Sequence, residues 1–217
     1  MAVEIQERRA SRGEIVADGI VHAVGLAAAV TGAVALISAA VFRGTSVAAV
    51  AVYAAALIAM LAASAAYSLG FRLRFHEVLR RLDHAGIFVM IAGSYTPFTA
   101  GVLTGRWAIG LTTAVWTIAA LGVLMKTVLA PRGRRGLTTA LYIAFGWIGV
   151  VAARPFLATL SPSVLWLVAA GGVLYTLGTA FHMPLRLPYR RAIWHGFVVA
   201  GAAVHFCAIL LVVVARA

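Results

Sequence analysis

Acidic residues are scarce and end early: this 217-residue chain has six, Glu4, Glu7, Glu14, Asp18, Glu77 and Asp83, and the remaining 134 residues contain none. Charge of either sign is thin, 11% of residues against roughly 25% in soluble domains. With 63% hydrophobic residues and a mean hydropathy of +1.00, the chain cannot clothe a water-facing surface, so lipid is its solvent. The lone cysteine, Cys207, excludes an intrachain disulfide and reads as packing material inside an apolar run. Also missing are a phosphate-binding Gly-rich loop with Lys-Ser or Lys-Thr, a Gly-x-Ser-x-Gly elbow and a His-Glu-x-x-His pair, the signatures of common soluble enzymes. No segment alternates with period two, which excludes a membrane β-barrel, and there is no internal repeat or low-complexity linker.

What is present is a series of apolar runs, at about 15–42, 46–70, 83–104, 107–129, 137–153, 163–181 and 193–215, separated by short breaks rich in Gly, Pro and Arg. Backbone polar groups must be satisfied internally in hydrocarbon, so each run is expected to be a helix. A span takes about 20 residues, so seven of them use nearly the whole length. The expected fold is an all-α bundle of seven transmembrane helices forming one domain at 15–217, after a cytoplasmic amino-terminal segment at 1–14. That opening segment is not read as a cleaved signal peptide, because the run behind it is long and interrupted by Asp18 and His22.

The net charge of +12 does not point to nucleic acid, because the basic residues sit in short clusters between apolar runs. Fourteen of the 18 Lys and Arg fall before the first run, in the second, fourth and sixth breaks or, as Lys126, at the end of the fourth run, and only Arg43, Arg106, Arg154 and Arg216 fall on the other side. By the positive-inside rule the amino terminus lies inside and the carboxyl terminus outside, in a multi-pass protein of the plasma (inner) membrane. Trp107, Trp147, Trp166 and Trp194 lie near run ends, as an interfacial aromatic belt requires.

Polar residues within or beside the spans are costly there and mark candidate sites. Ser64 and Ser68, four apart at the end of the second run, share one helix face; Asp83 opens the third run; Arg191 and His195, four apart, open the seventh. All five belong to the same end of the bundle, and one polar pocket on the cytoplasmic side is expected to collect them. Asp18 and His22 share a face of the first run and read more readily as interhelical hydrogen-bond partners than as pocket residues. His205, ten residues beyond His195, lies about 15 Å deeper by helical rise and reads as another interhelical contact. Pro97, inside the third run, leaves a carbonyl without its helical partner.

Leu82-Asp83-His84-Ala85-Gly86-Ile87-Phe88, Ile91-Ala92-Gly93-Ser94-Tyr95-Thr96-Pro97-Phe98, Gly146-Trp147 and Ile193-Trp194-His195 with Val204-His205-Phe206 carry a resemblance to the hemolysin III proteins of bacteria. These are related to the progestin and adipoQ receptors, which include the adiponectin receptors. The resemblance covers the chain from about Glu14 to the end and implies seven spans with the amino terminus inside. It also implies zinc near the cytoplasmic face, held by the His of a Ser-x-x-x-His motif on the second span and two His of a His-x-x-x-His motif on the seventh, with an Asp on the third.

Matched position by position, Ser64 is the family serine, Asp83 the aspartate and His195 the last histidine, whereas Ser68 and Arg191 stand where the other two histidines belong. A hydroxyl is a poor zinc ligand and a guanidinium repels a cation, so the zinc that the resemblance implies meets a degenerate site. Arg191 is expected instead to pair with Asp83, replacing the metal as the positive centre. His84 and His182 are the available replacement ligands, although His84 points about 100° away from its neighbour Asp83 around the helix. Ser64 and Asp83 are thus the candidate catalytic residues, Ser68, Arg191 and His84 the candidate binding residues, and His195 with Asp83 the candidate metal ligands.

Membrane lipids are the implied partners, and lipid homeostasis or lipid sensing through the pocket is the leading expectation. The resemblance also implies two alternatives: a pore-forming, cytolytic channel, or a zinc-dependent lipid amide or ester hydrolase. No repeat with paired broken helices supports a secondary transporter.

Overall fold

The computed structural model describes residues 10–70, 74–129, 135–182 and 187–215. Arg8, Arg9, Arg72, Arg132, Arg134, Arg186 and Arg216, all used in the charge count, lie outside the described residues. The described chain is helical throughout: α1 (Arg12–Phe42), α2 (Val47–Leu69), α3 (His76–Thr99), α4 (Gly105–Leu124) running into a π-helical turn (Met125–Leu129), α5 (Arg135–Gly146), a 3₁₀ turn (Ile148–Ala152), α6 (Ala153–Thr159), α7 (Pro162–His182) and α8 (Arg190–Ala215). α5, the 3₁₀ turn and α6 together make the fifth pass, giving an all-α membrane bundle of seven passes.

Six stretches among the described residues are long and apolar enough to cross a bilayer; α3, at 24 residues, is long enough but more polar. Its place explains this. α3 is the central helix, packed against α2, α4, α5 and α8, so it need not present an apolar surface to lipid on every side. It begins at His76 rather than at 83, because Glu77 satisfies two arginines along the first turns, at 2.7 Å from Arg80 and 3.3 Å from Arg81.

α1 is inside-out relative to a helix of a soluble protein: Val16, Ile20 and Val24 are exposed while Asp18, His22, Gly25 and Ala29 are buried. Lipid covers the first set; α2 and α8 cover the second. At Gly25 the α1 backbone comes so close to α8 that a Cβ would lie 2.7 Å from a Val199 methyl, so only glycine fits.

The fifth pass also departs from expectation. Instead of one helix ending near 153, it breaks after Gly146 and resumes to Thr159, with Pro155 in the first turn of α6, where a missing N–H costs little. Tyr95 of α3 mends the break: its hydroxyl donates to the Gly146 carbonyl at 2.6 Å and accepts from the Gly149 N–H at 2.9 Å. Broken backbone at membrane depth is tolerated where it lines a cavity, and this stretch does.

Candidate functional site

Two helix starts are pinned together at the Arg-rich end of the bundle. Ser11 and Glu14 form a capping box on α1, with Glu14 accepting from the Ser11 N–H at 2.7 Å and Ser11 accepting from the Glu14 N–H at 3.2 Å. The other Glu14 oxygen accepts from the Tyr189 N–H at 3.0 Å, just before α8 begins. Glu14, Asp18 and His22 are spaced four apart, so one face of α1 carries a hydrogen-bond acceptor, a carboxylate and an imidazole toward α8 on successive turns.

On the next turn Asp18, 4% exposed, meets His195 with 2.6 Å between its carboxylate oxygen and Nδ1. One turn further, His22, 2% exposed, lies against the same imidazole, ring centres 4.3 Å apart, with Nε2 3.8 Å from the Asp18 carboxylate. Among the described residues, neither ring nitrogen of His22 has a hydrogen-bond partner. From α2, Ser64 reaches Nε2 of His195 at 3.3 Å and also contacts Asp83, and Ser68 contacts Asp18. Four helices thus converge on one buried cluster.

The five residues expected to share a pocket divide as follows. Ser64, Asp83 and His195 line one cavity, and Ser68 joins them through Asp18. Arg191 does not line it: the residue is exposed on the first turn of α8, and among the described residues no ion pair within 4 Å joins it to Asp83, on which its charge acts only from farther away. The expected pair fails because Ser64 already serves Asp83, while a guanidinium at a helix start keeps its hydration by pointing outward. His84 is also absent from the lining; it faces Arg80 at 3.5 Å and sits edge-on to His182, ring centres 6.2 Å apart. His205 makes the interhelical contact expected of it, 3.1 Å from the Val168 carbonyl of α7.

Asp18 and His22 occupy the centre that the sequence reading assigned to Asp83 and Arg191. The signal was there: residues 18, 22, 25, 29, 36 and 40 form the single buried stripe of α1, at helical spacing, and its first two members are ionisable.

From this cluster a cavity of about 370 Å³ runs along α3. It is lined at one end by His22, Ser64, Asp83 and His195, and at the other by Phe98, Phe156 and Leu160. Asp83 and Phe98 are 15 residues apart on α3, about 22 Å by helical rise. The long wall is mainly apolar, with Ser94, Tyr95, Thr176 and His205 along it, and with Tyr175, whose hydroxyl has no hydrogen-bond partner among the described residues.

Fold and site together define a polytopic helical membrane protein with a buried carboxylate–imidazole cluster at one end of a long, mainly apolar cavity. Comparison with known proteins supplies the family: residues 14–206 match the family described as "Haemolysin-III related", and the chain belongs to it. Hemolysin-3 of Bacillus cereus is 32% identical over 206 residues, 94% of each chain. A hemolysin-3 homolog of Bacillus subtilis (strain 168) is 38% identical over 134 residues, a match covering 62% of each chain. The heptahelical transmembrane protein ADIPOR1 of Oryza sativa subsp. japonica is 30% identical over 164 residues, 66% of this chain and 43% of that protein.

The zinc that this family resemblance implies meets two donor sets here. The family positions do not fit it, since position 68 offers a hydroxyl and position 191 an exposed cation. A second set does fit: one donor atom each from Asp18, His22 and His195 lies within 4.8 Å of the others, and the buried His22 nitrogens are orphaned.

Proposed function

We propose that the protein binds a membrane lipid in this cavity, with an acyl chain along the apolar wall and a polar head at the Asp83–Ser64–His195 end, and acts in membrane lipid homeostasis or lipid sensing. The observation that carries the reading is the shape of the cavity: His22, Asp83 and His195 gather at one end, and a mainly apolar wall extends about 22 Å from them, most of a hydrocarbon core of about 30 Å. Its volume, about 370 Å³, lies in the range of small-molecule sites. Under the orientation argued from the arginines, the polar end faces the cytoplasm of a cell whose plasma membrane holds the protein. Ser64 then positions His195 by hydrogen bonding, and Asp83, which shares Ser64, faces the head group beside it.

The test is extraction of bound lipid from protein purified in mild detergent, followed by mass spectrometry. Wild-type protein is expected to carry close to one lipid per chain, and Ala169→Trp, which fills the cavity, very little. Lipid content in the wild type no higher than in an unrelated seven-helix control would end this reading. The names of the Bacillus relatives suggest a pore, but an apolar wall favours dewetting over conduction; ion flux through liposomes carrying the pure protein would restore that alternative. A lipid amide or ester hydrolase would show itself as fatty acid released from labelled lipid and lost with Asp83→Asn.

A further inference from the structure

We propose that Asp18, His22 and His195 form a binding site for a divalent transition metal of the zinc class, built from the first helix in place of the donors absent at positions 68 and 191. The donor types are right for such an ion, one carboxylate and two imidazoles, and three protein ligands with a position left open is the usual pattern of a reactive zinc site. Their atoms already lie within 4.8 Å of one another.

His22 makes the strongest case. A neutral imidazole carries one donor and one acceptor, and leaving either unsatisfied is costly in a protein interior and more so in hydrocarbon. The ring sits 2% exposed, aimed at Asp18 and His195, with both nitrogens unpartnered. Every other polar group of the cluster has a neighbour to satisfy it. A metal ion at this point would occupy one His22 nitrogen and explain why an imidazole is buried there.

His195 is prepared for the same ion. Metal-bound histidines give their second ring N–H to an oxygen that fixes the tautomer. Here Ser64 lies 3.3 Å from Nε2, which leaves Nδ1 on the Asp18 side, 2.6 Å from its carboxylate. The 2.6 Å contact suits an Nδ1–H donated to Asp18; with a metal on Nδ1 the proton would sit on Nε2 and be given to Ser64, a positioning residue. A dication with one carboxylate would leave one positive charge, and Asp83, which shares Ser64, is a further carboxyl group beside the site.

The site is independent of the lipid reading, because metal is measured on delipidated protein and lipid on protein stripped of metal. Purified protein would be dialysed against chelator, reloaded with Zn²⁺ or Co²⁺, and assayed by elemental analysis and by the visible d–d bands of cobalt. The expected result is about one metal per chain with bands of tetrahedral intensity. His22→Gln should weaken binding well beyond tenfold, and Ser64→Ala about 10–100-fold, as loss of an orienting partner does. His22→Cys should keep the metal and add a thiolate-to-cobalt absorption, a rescue that a merely structural histidine would not show; it also serves if His22→Gln fails to fold. Asp83→Asn should retain the ion. No binding above the stripped background would overturn the proposal, as would full affinity in His22→Gln, or loss of metal with Asp83→Asn while His22→Gln still binds.

Discussion

The seam between α1 and α8 and the broken fifth pass solve the same problem, polar atoms at membrane depth, in opposite ways. Along the seam the helices close up: Gly25 lets the backbones approach, and ionisable side chains satisfy one another across the contact. In the fifth pass the helix itself is interrupted, so backbone groups need partners, and a single phenol from α3 supplies them. Tight packing thus goes with side-chain polarity, and loose packing with backbone polarity and an open cavity. The cavity lies between them, lined by His22 and His195 from the seam and by Gly146, Trp147 and Gly149 from the broken pass.

Four substitutions put this contrast at risk, each read on metal-free protein by unfolding in detergent. Asp18→Ala should do the most damage, about 3 kcal/mol or more, because it strands the His195 imidazole within a buried pair; a much smaller loss would mean that water reaches the seam. Gly25→Ile should follow at about 1–3 kcal/mol by overpacking against Val199, and should also weaken the Asp18–His195 contact one turn pair away. If it costs nothing, the close approach of α1 and α8 is not what holds the cluster. Tyr95→Phe removes both hydrogen bonds across the broken pass and should cost about 1–2 kcal/mol, in line with interhelical hydrogen bonds in other membrane proteins. A loss as large as that of Asp18→Ala would erase the distinction between the two regions. The smallest effect is expected of Arg191→Gln, which should leave the melting temperature unchanged, since Arg191 is exposed and unpaired with Asp83; a clear drop would revive the ion pair. Independently, a reporter fused after Ala217 should report the outer side, as the arginine distribution requires.

Much of this was legible in the chain. Hydropathy separates the runs, and the passes follow because hydrocarbon leaves the backbone no alternative to the helix. Helix starts were less readable: the run placed at 83–104 begins seven residues earlier, since i, i+3 and i, i+4 pairing by Glu77 extends α3 through residues that look like a loop. Among site residues, Ser64, Asp83 and His195 announce themselves by spacing and by their place at run ends. Asp18 and His22 carried the same kind of signal, but inside an apolar run such a pair reads as an isolated interhelical hydrogen bond.

Composition and periodicity by themselves determined that this protein is a helical bundle in lipid, how many times it crosses, and at which end its ionisable groups gather, because burial in hydrocarbon acts on each segment separately. Only the tertiary structure decided which of those groups meet. Rotation of a helix about its axis and its distance from its neighbours depend on contacts made at a distance in the chain, such as Glu14 with Tyr189 and Gly25 against Val199. Those contacts turn the Asp18–His22 face of α1 onto His195 and leave Arg191 outside.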